Sequence, residues 1–138
     1  EDMKRFTVEH DKQYQIIKKC EDAGIVVKTM FIIGNPEDTE DTITASIKYS
    51  QYLPSLYAQF SVFTPYPGTP VFSDFKNLIN ETKLENFNQY KLVFRHKNLS
   101  VEKIEKLKSM AYFKFYFNIK KIIHILKYFF KSRYGKTI

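Results

Sequence analysis

Four carboxylates lie within five residues in the segment EDTED at positions 37–41. Side chains of this type could bind a metal ion or act as general acid and base. They are also what the first turn of a helix favours, because the helix dipole stabilises negative charge there. Since Ile43 and Ile47 follow at helical spacing, we predict a helix start and leave the catalytic residues unassigned.

A glycine ends the apolar run IVVKTMFIIG at residues 25–34. Because Gly34 has no Cβ, a ligand could approach its backbone, and the N–H and C=O groups of Ile33 and Gly34 could then hydrogen-bond a flat heterocycle such as adenine. A tight turn from strand to helix needs the same residue type. From these residues alone, both interpretations stay open.

The single cysteine and the three histidines offer little further chemistry. Cys20 has no second thiol or histidine at ligand spacing, so we predict a buried structural thiol on the apolar face of a helix. His10, His96 and His124 are scattered along the chain without a metal-ligand pattern. For Arg95 and His96 we favour a place on the protein surface over binding of a phosphate or carboxylate.

Helices alternate with strands in the first half of the chain. Thr7 can cap a helix that runs to about residue 23 and that Gly24 ends. The β-branched and aromatic runs at residues 25–34 and 57–64 predict two strands with one helix between them, which is the pattern of a parallel α/β sheet.

Two loops leave the carboxyl ends of these strands, where open α/β sheets and barrels bind their ligands. The first is GNPEDTED at residues 34–41, and the second is PYPGTP at residues 65–70. Proline cannot donate to a sheet ladder, so the second loop must begin where its strand stops. We expect the two loops to lie side by side.

The last third of the chain is basic and helical. Residues 1–90 hold 9 Lys and Arg against 13 Asp and Glu, whereas residues 91–138 hold 13 against 2, which gives net charges of −4 and +11. Ser100 can cap a helix with apolar residues at Ile104, Leu107, Ala111 and Phe115. A second amphipathic stretch covers roughly residues 118–132, and we expect it to pack as a helix on barrel strands outside this chain, with its lysines in water.

Two segments with the expected interval between them resemble the late barrel strands of radical S-adenosylmethionine enzymes, most closely the branch with an N-terminal cobalamin-binding domain. They are MFIIGNPEDTEDT at residues 30–42 and YAQFSVFTPYPGTPVF at residues 57–72. The resemblance extends to residues 6–24 before them and residues 93–107 after them, and so covers most of the chain.

One motif of that family is matched in part. Its fifth strand carries the pattern glycine-x-isoleucine-x-glycine-x-x-glutamate, which is met here at Ile32, Gly34 and Glu37, with Met30 in place of the first glycine. The family's three cluster-binding cysteines, spaced C-x-x-x-C-x-x-C, have no match in this chain.

The resemblance implies an α/β fold in which this chain is the C-terminal fragment of a partial TIM-type barrel with a helical C-terminal extension. Residues 1–73 would be the last helix-strand-helix-strand units, residues 74–99 a linker and residues 100–138 the basic extension. The parent would bind S-adenosylmethionine and a four-iron four-sulfur cluster, and in the methylating members cobalamin, for radical or methyl transfer. The cluster ligands would belong to the remainder of the polypeptide, so we do not expect the isolated chain to be active; a degenerate barrel is the competing interpretation.

Carried over by position, the resemblance implies a set of cofactor-binding residues. The backbone of Phe31, Ile33 and Gly34 would lie near the adenine. Asn35 and Glu37 would be polar neighbours of that site, and the Tyr66 ring would point to the cofactor or substrate. Tyr66 also fits a turn residue stacked on its flanking prolines. The substrate is not identified by these residues.

An alternative from another class is a non-catalytic module whose basic amphipathic helices bind an anionic membrane surface or RNA. Lysines would meet headgroups in the first case and phosphates in the second, and we disfavour the nucleic acid. The lone cysteine and the lack of a secretory leader pattern predict a cytoplasmic protein. In the membrane-binding alternative, this protein would be peripheral to a membrane.

Overall fold

The computed structural model describes residues 10–134 of the chain, and the side chains of residues 10–130. In chain order the elements are α1 (His10–Asp22), β1 (Lys28–Ile33), α2 (Glu40–Tyr52), β2 (Tyr57–Val62), α3 (Pro70–Phe75), a 3-10 turn (Leu84–Asn86), α4 (Val101–Tyr116) and α5 (Ile119–Tyr134). The two strands and the helices around them lie where the sequence predicts them. The proposed cap Thr7 lies outside the described residues.

The end of α1 is a Schellman turn built on Gly24, which has φ +81°. The amide of Ile25 donates to the Cys20 carbonyl over 2.9 Å, and the amide of Gly24 donates to the Glu21 carbonyl over 3.0 Å. This pair of bonds satisfies the last carbonyls of the helix and needs a left-handed residue at Gly24. The predicted helix end is therefore confirmed.

The predicted burial of Cys20 is wrong, since this thiol is only half-buried and no residue of α1 is buried. The helix contacts α2 through rings instead: His10 lies against Tyr49 with ring centroids 4.4 Å apart, and Tyr14 lies against Tyr52 at 4.9 Å. These contacts leave the apolar side of α1 partly open to solvent.

The strands β1 and β2 form a parallel pair in a two-stranded sheet. Successive side chains alternate between its faces. On one face Phe31 and Phe60 stack with ring centroids 5.3 Å apart and are covered by helices. On the other face Met30 and Ile32 are 62% and 49% exposed. One face of the sheet is thus sealed and the other is open.

The helices α2 and α4 cover the sealed face. The buried residues of this layer are Ile33, Ile43, Ile47, Ala58, Phe60, Leu107, Ala111 and Phe115. Helix α4 begins at Ser100, whose side chain accepts a hydrogen bond from the Lys103 amide over 3.2 Å, as the sequence predicts. The regularly spaced apolar residues of α4 thus face the sheet.

Residues between α3 and α4 form a second part of the core. An antiparallel bridge joins Ile79 to Phe94, and the Phe94 ring packs edge-on against Phe63 and Phe75 with centroids 5.8 and 5.0 Å apart. The buried members of this cluster are Val62, Phe87, Leu92, Val93, Phe94 and Ile104. Residues of the segment 74–99, which was predicted as a linker, are therefore packed against β2 and α4.

Two tyrosines of α4 bind the outer edge of β2. The hydroxyl oxygen of Tyr116 lies 3.3 Å from the amide nitrogen and 3.1 Å from the carbonyl oxygen of Ala58. The hydroxyl oxygen of Tyr112 lies 3.1 and 3.3 Å from the same atoms of Phe60. Each hydroxyl thus meets a donor and an acceptor of the strand, which is where the next strand of a sheet would otherwise bind.

The third outward amide of β2 belongs to Val62 and donates to the Gln89 carbonyl over 2.8 Å. Gln89 has φ +67°, a left-handed conformation that is costly for a side-chain-bearing residue. At the free edge of β1, by contrast, nothing in residues 10–134 bonds the backbone groups of Lys28 and Met30. The edge of β2 is closed, and the edge of β1 is open.

Helix α5 contacts the start of β2 through a buried lysine. The ammonium group of Lys121 is buried and donates to the carbonyls of Leu53 and Ser55, just before β2. The apolar residues Ile119 and Ile123 are exposed. Lys121 therefore does not lie in water as expected, because backbone carbonyls just before β2 bind its ammonium group. Lys120 and Lys127 are exposed, as expected. The packing of the apolar side on the rest of the barrel stays a prediction.

Candidate functional site

The loops that follow β1 and β2 leave the same end of the sheet. The Phe63 amide donates to the Ile33 carbonyl over 2.9 Å, so the parallel ladder continues to the last residue of β1. Beyond it the chain turns away at Gly34 on one side and at Pro65 on the other. Both loops thus leave one end of the sheet, as the sequence predicts, and we take this end as the candidate site.

Gly34 makes the turn out of β1 with φ +72°. A Cβ at this position would lie 3.2 Å from Ile104 Cδ1 and 3.7 Å from Val62 Cγ1. The space that the missing side chain leaves open is filled by α4, and the Ile33 carbonyl is already engaged by β2. Packing and backbone conformation thus require glycine here.

Asn35 is held by its neighbours through all of its polar groups except one. Its amide nitrogen and its side-chain nitrogen both donate to Asp38 Oδ2, over 2.8 and 3.0 Å. Its backbone carbonyl accepts from His96 Nε2 over 2.7 Å. The remaining atom, Asn35 Oδ1, is buried and has no hydrogen-bond partner among the described residues. A buried acceptor without a donor is costly, so this atom calls for a donor that the described residues do not supply.

His96 fixes the position of Asn35 and was not predicted to do so. It is only 8% exposed, which corrects the expected surface position. Its Nδ1 accepts from the amides of Asn98 and Leu99, each over 3.1 Å. Since Nδ1 is an acceptor, Nε2 carries the hydrogen that is donated to the Asn35 carbonyl. The apolar pair Val93 and Phe94 before it was the available sequence signal of burial.

Three of the four carboxylates of the EDTED segment bond within the protein. Helix α2 begins only at Glu40, so Glu37 and Asp38 precede it instead of lying in its first turn. Asp38 Oδ1 accepts from the Thr42 hydroxyl over 2.9 Å. Glu37 pairs with Lys97 at 3.0 Å, and Glu40 pairs with Lys103 at 2.6 Å. Among the described residues no group of His, Cys, Asp and Glu side chains has the arrangement of a metal site.

Tyr66 stands at the first position of a type II turn. The Thr69 amide donates to the Tyr66 carbonyl over 3.1 Å, and Gly68, with φ +85°, occupies the third position that needs a left-handed residue. The Thr69 side chain then caps α3 by accepting from the Phe72 amide over 3.2 Å. The Tyr66 ring is partly exposed, so the turn presents it to solvent at the candidate site's end of the sheet.

The other residues implied by the resemblance lie either in the core or at the surface. The side chains of Phe31 and Ile33 point into the helix-covered core, and the Ile33 carbonyl accepts from the Phe63 amide of β2. The exposed carboxylate of Glu37 lies on the rim of a cleft of about 490 Å³, whose other walls include Arg95, His96 and Lys97. The structure thus offers one buried acceptor, one partly exposed ring and a charged cleft.

No protein-family model matches this chain. It is 33% identical over 109 residues to an uncharacterized methyltransferase of Pyrococcus horikoshii, a match that covers 78% of this chain and 24% of that protein. It is 29% identical over 80 residues to bacteriochlorophyllide d C-12(1)-methyltransferase of Chlorobaculum tepidum, which covers 58% of this chain and 18% of that enzyme.

A cyclase is also similar to the chain. The anaerobic magnesium-protoporphyrin IX monomethyl ester cyclase of Rubrivivax gelatinosus is 30% identical over 85 residues, 62% of this chain and 15% of that enzyme. The chain thus spans a quarter or less of the length of these three relatives. Its curated relatives are methyltransferases and a cyclase, so the similarity is to enzymes.

Proposed function

We propose that this chain is the C-terminal part of an S-adenosylmethionine-dependent enzyme of the radical type that transfers methyl groups, and that its two strand-end loops form the adenine side of the cofactor pocket. The observation that carries the proposal is the partnerless, buried Asn35 Oδ1 at the carboxyl end of a parallel sheet. The methyltransferase names of the relatives agree with it.

The asymmetry of the sheet supports a place at the end of a barrel or larger sheet. Further parallel strands can pair with β1, whose edge groups at Lys28 and Met30 have no partner within residues 10–134. They cannot pair with β2 without displacing Tyr112 and Tyr116. In this proposal the open face with Met30 is the inner wall of the barrel.

The chain's own residues would bind and orient the cofactor. Asn35 Oδ1 would accept a hydrogen from the adenine amino group or a ribose hydroxyl, and Asp38 and His96 would hold the amide in place. When bound, S-adenosylmethionine supplies the methyl group or the radical precursor. Tyr66, at the second loop, would limit the cofactor's position on the other side.

An iron-sulfur cluster does not fit the residues of this chain. Such a cluster is held by several cysteine thiolates, and the chain contains one cysteine, Cys20. This residue lies on α1 before β1 begins, at the opposite end of the strand from Gly34. We therefore assign the cluster, and the cobalamin if the parent enzyme uses it, to the remainder of the polypeptide.

The proposal is tested by S-adenosylmethionine binding to the full-length protein, measured by calorimetry. Replacing Asn35 with Ala removes the acceptor and should weaken binding about tenfold, or about 1.4 kcal/mol, as expected for one hydrogen bond. The exposed Asn77 provides the matched control, and Asn77→Ala should leave the affinity unchanged. Tyr66→Phe separates a hydroxyl contact from a purely steric role.

Three results would count against the proposal. A full-length protein that does not bind S-adenosylmethionine would refute the function. Binding that is unchanged in Asn35→Ala would remove this residue from the pocket. A parent reading frame without the C-x-x-x-C-x-x-C motif would reject the radical mechanism and leave other methyl transfer open.

A further inference from the structure

Helix α5 is fixed to the protein by polar groups on one side. Lys121 donates to the Leu53 and Ser55 carbonyls and lies 4.5 Å from the centre of the Phe115 ring. One turn further on, His124 Nε2 is 3.9 Å from a carboxylate oxygen of Glu21. These contacts set the rotation of the helix about its axis, and they decide which residues face away from the protein.

The opposite side of α5 is an apolar stripe. Its residues follow one another at intervals of four, three and four, so they lie on one line along the helix. They are Ile119, Ile123, Leu126 and Phe130, with 66, 45, 50 and 61% of their surface exposed. Since 3.6 residues make a turn, Ile123 projects about half a turn away from Lys121. The stripe is thus presented outward by the polar anchor.

The charge of α5 indicates what the stripe contacts. The helix carries five basic residues and no acidic one in its sixteen positions, and Lys120 and Lys127 are exposed on one flank of the stripe. A second copy of α5 laid against the stripe would bring like charges together with no acidic side chain to neutralise them. An anionic lipid surface neutralises the lysines and accepts the apolar side chains.

We propose that α5 binds an anionic bilayer surface in its plane, with the apolar stripe at the boundary between headgroups and acyl chains and the flanking lysines among the headgroups. Within the part of the chain that the structure describes, none of the helices has the length and apolar character to cross a bilayer. The helix therefore lies on the surface. The inference is independent of the proposed catalytic function.

Co-sedimentation of the full-length protein with vesicles tests this inference. The protein should bind vesicles of phosphatidylcholine with phosphatidylserine, should bind pure phosphatidylcholine at least tenfold less, and should dissociate as salt is raised. Ile123→Ser with Leu126→Ser should reduce binding at least tenfold. The control is Leu84→Ser, at a still more exposed apolar residue on the 3-10 turn, and this variant should bind as the wild type does.

A second variant covers the case in which the stripe variant does not fold, as judged by circular dichroism. Lys120→Gln with Lys127→Gln leaves the stripe intact and should reduce binding to anionic vesicles severalfold. No binding of the wild type to anionic vesicles overturns the inference. Equal binding by the stripe variant overturns it too. Binding to single-stranded RNA with no binding to vesicles replaces it with the nucleic-acid alternative.

Discussion

The two edges of the small parallel sheet are built in opposite ways. The outer edge of β2 is closed by the hydroxyls of Tyr112 and Tyr116 and by the Gln89 carbonyl, none of which belongs to a strand. The edge of β1 has no comparable protection in residues 10–134. An unprotected edge is a template for pairing with another strand. The difference agrees with the proposal that further strands of the parent enzyme pair with β1 and not with β2.

The largest expected effect comes from opening the closed edge. Tyr112→Phe and Tyr116→Phe each leave a buried amide and carbonyl of β2 without their partner, which should cost about 1–3 kcal/mol of unfolding free energy per substitution. The double variant should lose about 2–6 kcal/mol if the two losses add, measured by urea denaturation of the full-length protein. It should also self-associate more, measured by sedimentation velocity, because a second edge has become available.

A matched control is Tyr90→Phe, which removes the hydroxyl of a largely exposed ring and should change stability by less than about 0.5 kcal/mol. If the double variant were as stable and as monodisperse as this control, the tyrosine hydroxyls would not protect the edge. Only the Gln89 carbonyl, which accepts from the Val62 amide, would then protect the outer edge of β2.

The start of β2 is anchored by a buried cation, and this makes stability depend on pH. Burial lowers the pKa of Lys121 from 10.5 to about 8, and the nearby Glu21 carboxylate opposes this shift. Between about pH 8 and pH 10.5, Lys121 keeps its proton in the unfolded chain and has released it in the folded chain. Stability therefore rises as pH increases through this window, at no more than about 1.4 kcal/mol per pH unit.

Lys121→Met removes this pH dependence. The variant should lose about 1–3 kcal/mol near neutral pH, because the carbonyls of Leu53 and Ser55 lose their donor. The difference from wild type should grow by about 2 kcal/mol between pH 7 and pH 9.5. Lys120→Met, on the exposed neighbour, is the control and should follow the wild-type curve. Parallel curves for wild type and Lys121→Met would contradict the buried position of the ammonium group.

Local sequence rules account for the elements of this fold. The strand runs, the Gly24 helix end and the Ser100 cap depend on residues a few positions apart, and the sequence predicted each of them. The meeting of the two loops follows from parallel pairing, because consecutive parallel strands joined by a helix end at the same edge of the sheet. Apolar runs, helical spacing and the residues that begin or end helices are sufficient for these features.

Long-range polar contacts account for what the sequence did not predict. Lys121 meets carbonyls 66 and 68 residues away, and His96 meets Asn35 at a separation of 61 residues. Lysine and histidine are seldom buried without a partner, and nothing local to either residue identifies the partner. The periodicity of α5 revealed an apolar stripe, but the burial of Lys121 decides that the stripe faces outward. The partnerless Asn35 Oδ1 is likewise visible only once Asp38 and His96 are in place.

The smallest expected effect tests the strain at the closed edge. Gln89 has φ +67° and presents its carbonyl to Val62, and a glycine adopts this conformation without the steric cost that a Cβ imposes. Gln89→Gly should therefore be neutral or should stabilise the protein by up to about 1 kcal/mol, in thermal unfolding of the full-length chain. Gln59→Gly, at a strand position without positive φ, should instead destabilise it. Equal losses in both variants would mean that the left-handed turn at Gln89 stores no strain, and that this edge is closed at no conformational cost.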